Sequence, residues 1–295
     1  MIKGSEYPSH KALRTFISVA NSLSFSQAAQ ELCVTQSAVS KQIASLELQL
    51  GQALFERHAN GITLTVAGKH YLPKVTEALE AIQYATASVL QSGQAQGLLR
   101  VNVTPSFANL WLIPNIRRFH QTHSKLQVSV TTGDGQVKES LSNADIMVRC
   151  LPLSKHYDNA HLLCEEELVL TAEANTKNIE SIDELAKLSF IPQITRPQLW
   201  EQLRYELGLE QDPTYYPVGF EHFYLTLETL KKEGGLALLP RFMVNSALEE
   251  ETLSNPMRVS FMSGYGYYLI VPNYRMASRP VYDFVEWLKS EFELK

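Results

Sequence analysis

The sequence predicts an α/β chain in three successive pieces: a head made mostly of helix, a long helix leading out of it, and a two-lobed α/β body. Three observations carry this. Apolar residues recur at helical spacing from His10 to Gly51. A second apolar line steps three and four residues apart along Leu72, Val75, Leu79, Ile82, Thr86 and Val89. Beyond the small, polar stretch "QSGQAQG" at Gln91–Gly97, short strand-like runs alternate with helical ones.

A chain of 295 residues with 45% hydrophobic and 19% charged content is globular and long enough for about two domains. Its start, "MIKGSEYPSH", has no apolar signal region, and no run approaches the roughly 18 residues of a membrane span. A soluble, cytoplasmic protein is expected. Cys33, Cys150 and Cys164 form neither a pair nor a metal-ligand spacing, so inert thiols are expected and no cofactor. The formal net charge is -5, but up to Val75 there are seven Lys and Arg against four Glu, so a mildly basic head precedes an acidic body.

Leu13, Phe16, Ile17 and Ala20 mark an amphipathic helix from about His10 to Asn21, with Ser9 as its cap. Ser24 with Gln27 makes a capping box for a short second helix that buries Ala28, Ala29 and Leu32. Cys33, Val34 and Thr35 break the pattern, Thr35 caps a third helix buried along Val39, Ile43, Leu46 and Leu50, and Gly51 ends it. Two short helices joined by a three-residue turn are the helix-turn-helix arrangement. The outward side of the third helix carries Gln36, Ser37, Ser40, Lys41 and Ser45, short hydrogen-bonding side chains that suit base edges and phosphates in a major groove. A solvated helix that happens to be rich in Ser and Gln is the plainer alternative.

Asn60-Gly61 between alternating residues predicts a small β-wing, on which Arg57 and His58 are placed to meet phosphate or the minor groove. Ser24, Ser26 and Asn60 complete the expected DNA surface. Thr65 caps a helix from about Val66 to Gln91 that either bends at Pro73 or starts late because of it. The apolar seam on that helix calls for a partner, read as a second copy of the chain, with packing against its own chain as the alternative.

In the body, "LLRVNVT" and "LQVSVTTG" flank a helix, a βαβ unit, and "ADIMVR", "EEELVLTA", "LSFIPQ", "LALLP" and "YYLIVP" read as further strands. One lobe interrupted by another makes a clamshell. Ligands in such sheets sit at strand carboxyl ends beside helix N-termini, which selects Thr104 and Ser106, with Ser106 as the helix cap. Other strand ends add Thr131, Thr132, Arg149, Gln193, His222 and Phe223. Arg149 is either the counter-ion of a carboxylate or the partner of Asp145. The "EEE" run at Glu165–Glu167 reads as an exposed edge. Signatures of enzymes such as GxSxG, GxGxxG, Walker loops or HExxH do not occur, so catalysis is not expected.

The string "SFSQAAQELCVTQSAVSKQIASLELQLGQALFER" with the following "LTVAG" resembles the LysR-type transcriptional regulators. "LRVNVTPSFANLWLIPNIRRF", "ADIMVR", "RPQLW", "EGGLALLP" and "YYLIVP" resemble that family's effector domain, most like the subgroup with glycine-cleavage and β-lactamase regulators. The resemblance implies a winged helix-turn-helix dimer on a partly palindromic operator, commonly a tetramer, and a periplasmic-binding-protein-like effector domain. It implies base contacts from Gln36 and Ser37, phosphate contacts from Ser26, Ser40, Lys41 and Arg57, and a cleft lined by Thr104, Ser106, Thr131 and Tyr267. His222, Phe223 and Tyr224 stand where the subgroup often has small hydroxyl residues, a departure that speaks against its usual amino-acid or peptide ligand.

The expected division is residues 1–65 for the winged helix-turn-helix, 66–96 for the linker helix and hinge, and 97–295 for the effector domain. Within the last, lobe I takes about 97–166 and 265–295, and lobe II about 167–264. The function expected is that of a DNA-binding regulator whose clamshell takes a small, carboxylate-bearing effector. The expected partners are double-stranded DNA, the effector and a second copy, with RNA polymerase a further candidate and no membrane. The competing reading is a cytoplasmic small-molecule-binding protein with an accessory helical head.

Overall fold

Hydroxyl caps set the helix starts of the head. Ser9 accepts from the Ala12 amide at the start of α1, His10–Ser22. Ser24 does so for Gln27 at α2, Phe25–Glu31, and Thr35 for Ala38 at α3, Gln36–Leu50. Each bond satisfies an amide that a helix start leaves unpaired. The computed structural model describes residues 7–58, 61–90, 98–133, 144–157, 159–176, 179, 181–185, 187–208 and 214–293. They belong to two units, Met1–Ala95 and Gln96–Lys295.

In the first unit Cys33 takes the left-handed conformation, φ 53°, and turns the chain from α2 to α3. β1, Phe55–His58, pairs antiparallel with β2, Gly61–Leu64. Asn60, at the expected hairpin tip, lies outside the described residues. Thr65 Oγ1 accepts from the Gly68 amide at 2.9 Å and opens α4, Val66–Leu90. A Cβ at Gly68 would stand 2.2 Å from the Leu54 carbonyl oxygen, so a glycine is what lets α4 rest on the base of the wing. Pro73 lies inside α4, which begins at Val66 and not late.

The seam on α4 is not a free stripe along its length. Val75 and Leu79, each 5% exposed, complete the core formed by Phe16, Val19, Val39, Ile43, Leu46 and Phe55, and Leu72 packs against it. Because α4 leaves the wing across α1, its first turns close the head. Ile82, 55% exposed, is where the stripe emerges.

In the second unit β3, Leu98–Val103, runs parallel to both β4, Gln127–Thr132, and β5, Ile146–Pro152. α5, Pro105–Phe107, a π turn, Ala108–Leu112, and α6, Ile113–Thr122, form the crossover. β6, Ala160–Glu173, and β9, Ser260–Ile270, are long antiparallel partners that run through both lobes. Between them come α7, Ile182–Leu185, α8, Gln198–Leu207, α9, Phe223–Glu233, β7, Ala237–Pro240, α10, Arg241–Glu249, and β8, Leu253–Ser254. After β9 the chain returns to lobe I through a 3₁₀ turn, Asn273–Arg275, and α11, Arg279–Glu293. The sheet order is β4-β3-β5-β9-β6-β7, with β8 beside β6. "LSFIPQ" is not a regular strand: Phe190 and Gln193 make isolated bridges to Tyr215, Leu236 and Phe220.

Each lobe has its own core. Phe107, Trp111, Phe119, Phe284 and Leu288 fill lobe I. Phe190, Trp200, Leu203, Leu230 and Leu239 fill lobe II. No helix among the described residues is long and apolar enough to cross a membrane.

Candidate functional site

The head presents one polar ridge. Val39, Ile43 and Leu46 of α3 point into the core, and the helical period then turns Gln36, Ser37, Lys41 and Ser45 outward, all exposed, with Ser40 half-buried. Neighbouring side chains order this ridge. Ser26 Oγ donates to Gln36 Oε1 at 3.3 Å, fixing which end of the amide faces α2. Ser37 shares a hydroxyl contact with Thr35 at 3.1 Å. Arg57, reaching across from the wing, donates to Ser40 Oγ at 3.4 Å and stacks over the Phe25 ring at 4.9 Å. Ser24 is occupied as the α2 cap.

Sequence reasoning missed Glu47. Its Oε1 accepts from the Leu54 and Phe55 amides at 2.7 and 3.1 Å and ties α3 to the wing, so the spacing between ridge and wing is set by one carboxylate. Arg57→Ala is expected to weaken binding to specific and nonspecific duplexes alike and to reduce the slope of log affinity against log salt by about 1, checked by salt-titrated gel shift.

In the second unit the carboxyl ends of the parallel strands gather Thr104, Thr131, Thr132 and Arg149. Thr104 stands at the N-cap of α5 without a side-chain cap bond, and Pro105 follows it. Ser106 is not the cap: the helix starts one residue earlier, so Ser106 falls in its first turn, 5% exposed. Arg149 is 3% exposed and donates to the Asn102 and Val148 carbonyls and to Asn102 Oδ1. Asn102 in turn donates to Thr131 Oγ1 at 2.8 Å. Asp145 meets Arg275 and Arg100. The Arg149 guanidinium thus braces the strand ends, and Thr132 remains exposed beside them.

In lobe II, Gln193, 5% exposed, donates to the Glu221 carbonyl at 2.7 Å and accepts from Thr226. His222 is the N-cap of α9 and stacks on Tyr224 at 5.8 Å. α9 lies against α5, but Phe223, 3% exposed, packs into the core of lobe II and does not line an open surface as expected from the sequence; His222, half-buried at the start of α9, remains the candidate there.

The reading of Glu165–Glu167 as an exposed edge is corrected by the structure. Glu166 is 0% exposed. Its carboxylate accepts from Arg196 at 2.5 and 3.1 Å, from Ser263 Oγ at 2.7 Å, from Tyr267 Oη at 3.3 Å and from Cys150 Sγ at 3.6 Å. Tyr267 is itself 2% exposed, packed on Phe107 and Phe242, so it lies beneath the cleft surface. Burial works against charge on Arg196, but the adjoining carboxylate and its hydrogen bonds hold the guanidinium protonated, above its ordinary value. Burial, then the Glu166 charge, push the Cys150 thiol well up, away from reactivity. Burial also raises the Tyr267 hydroxyl well above its ordinary value. A signal for Glu166 was present in the run itself, because strand alternation turns the middle of three residues to the face opposite its neighbours. Nothing in "TRPQLW" marks Arg196 as its partner.

Residues 10–69 match the family model described as bacterial regulatory helix-turn-helix protein, lysR family, and residues 92–293 match the LysR substrate binding domain. The glycine cleavage system transcriptional activator of Escherichia coli (strain K12) is 30% identical over 288 residues, which cover 95% of this chain and 93% of that protein. The effector domain of the transcriptional regulator AmpR of Pseudomonas aeruginosa superposes with a TM-score of 0.56 at 20% identity, covering 68% of this chain and 96% of that one. Vibrio fischeri DarR, solved in complex with DNA, gives a TM-score of 0.50 at 19% identity over 95% of this chain and 98% of its own. The two low-identity structures bear on the fold alone.

Proposed function

Because this chain belongs to the LysR family of transcriptional regulators, a DNA-binding regulator with an effector-binding domain and not an enzyme, we propose that its cleft takes a small effector through a carboxylate. The observation that carries this is the start of α5. Thr104 gives its hydroxyl to no cap bond there, and the helix dipole favours an anion at that end. Thr132, paired with Val103 just before Thr104, is the polar neighbour on that side, and His222 at the start of α9 is the candidate from lobe II. On the DNA, Gln36 and Ser37 read base edges while Ser26, Ser40, Lys41 and Arg57 hold phosphates, a reading supported by the exposure of Gln36, Ser37 and Lys41 along α3 and by Arg57 reaching Ser40 from the wing.

The protein works in the cytoplasm as a homodimer joined through the exposed part of α4, and dimers pair into tetramers on the operator. A ligand that prefers one lobe arrangement by about 1–3 kcal/mol changes operator occupancy several-fold. The test is a gel shift of the full chain on its own upstream intergenic DNA, with and without small carboxylates. Thr104→Val is expected to abolish the effector response and leave affinity for the DNA in the absence of effector within about twofold. Equal responses from both proteins would remove Thr104 from the site.

A further inference from the structure

The site around Glu166 has the makeup of a carboxylate-binding pocket, and the chain fills it itself. The Arg196 guanidinium lies over the Phe223 and Tyr265 rings, 5.0 and 4.9 Å from their centroids. The fork's edge pairs with the carboxylate through both terminal nitrogens, the bidentate geometry in which Arg recognises a carboxylate. Around the same point stand hydroxyl donors from Ser263 and Tyr267. These donors come from different pieces of the fold: Arg196 and Phe223 from lobe II, Ser263 and Tyr265 from the crossing part of β9, Tyr267 and Cys150 from the row that joins β5 to β9 in lobe I.

The backbone departs from regular pairing at this place. Glu165 pairs with Gly266 and Glu167 with Met262, so the single residue Glu166 faces three residues of β9, Ser263, Gly264 and Tyr265. That irregularity wraps β9 around the Glu166 side chain. Such a bulge re-aims a side chain at a defined point, and here it brings the carboxylate into the fork.

We propose that Glu166 is a tethered carboxylate occupying, from within the chain, an anion subsite formed by Arg196, Ser263, Tyr267 and the two flanking rings. It sets the charge class of the effector. A free carboxylate is excluded from Arg196, because displacing Glu166 would leave a buried anion without its cation. The inference rests on the reading that the effector lies in this cleft; it directs the effector's carboxylate to the Thr104 side and places neutral or aromatic parts against Tyr265.

The test uses the full chain, with sodium acetate as the probe and sodium chloride at equal concentration as the control. Glu166→Ala removes the carboxylate together with the arm that carries it, which leaves room for acetate at the Arg196 fork. Thermal unfolding of the wild-type protein is expected to be the same in both salts. The Glu166→Ala midpoint is expected to rise in acetate by about 3–5 °C once acetate stands tenfold above its Kd. The double variant Glu166→Ala, Arg196→Gln is expected to lose that rise. A rise no larger than that of the double variant, or an equal rise in wild type, overturns the proposal. If Glu166→Ala yields no soluble protein in chloride, recovery in acetate is the same positive result and recovery in neither salt overturns it. The readout is stability of a variant, whereas the cleft reading is judged on operator binding by the wild-type protein, so either can fail alone.

Discussion

Asp145→Ala lowers the unfolding free energy of the Gln96–Lys295 unit by about 3–5 kcal/mol, the cost of taking one member from a buried ion pair. The Asp145 and Arg275 side chains are 4% and 5% exposed, and Asp145 also accepts the Arg100 backbone amide at 2.7 Å. Removing the carboxylate takes a counter-charge from Arg275 and a partner from a strand amide at once. Trp111, Trp200 and Trp287, the three tryptophans of the chain, all belong to this unit. Urea titration followed by tryptophan fluorescence therefore reads its stability with no tryptophan contribution from the head. A loss below about 1 kcal/mol would show that the pair carries little of the fold's stability.

Gln36→Ala lowers the preference for operator over nonspecific duplex by about 5- to 150-fold, the range that corresponds to about 1–3 kcal/mol for one good bidentate base contact. The amide is uncharged and releases no counterions, so nonspecific affinity and its salt slope stay nearly as they were. Competition gel shifts with specific and random duplexes measure the ratio. Equal losses on both would refute a base-reading role. The residue is well placed for a clean measurement, since it is exposed at the start of α3 and its loss opens no cavity.

What could be read without coordinates was local. Ser9, Ser24, Thr35, Thr65 and Gly51 mark helix ends through bonds to residues three or four positions away, and each lies at an observed end. Alternation gave β1, β2 and the parallel βαβ unit for the same reason: neighbours in sequence set the pattern. The errors share a different cause. Ser106 was displaced from the cap because Pro105 takes the first helical position, where a proline costs no hydrogen bond. The α4 seam stayed open between a second copy and the chain's own core, because a heptad line reads the same for both; Val75 and Leu79 turn to the core. Glu166 looked solvated because charge runs usually are.

The amino-acid sequence alone determined the order of the pieces, the family, and the outward ridge of Gln36, Ser37 and Lys41, since helical period and hydroxyl caps act within a few residues. Tertiary structure alone decided which charges are spent inside the protein. Arg149 is held by Asn102, Asp145 by Arg275, and Glu166 by an arginine thirty residues further along the chain. The physical reason is desolvation: a buried charge is tolerable only beside a partner, and which residue becomes that partner is settled when distant segments close around it.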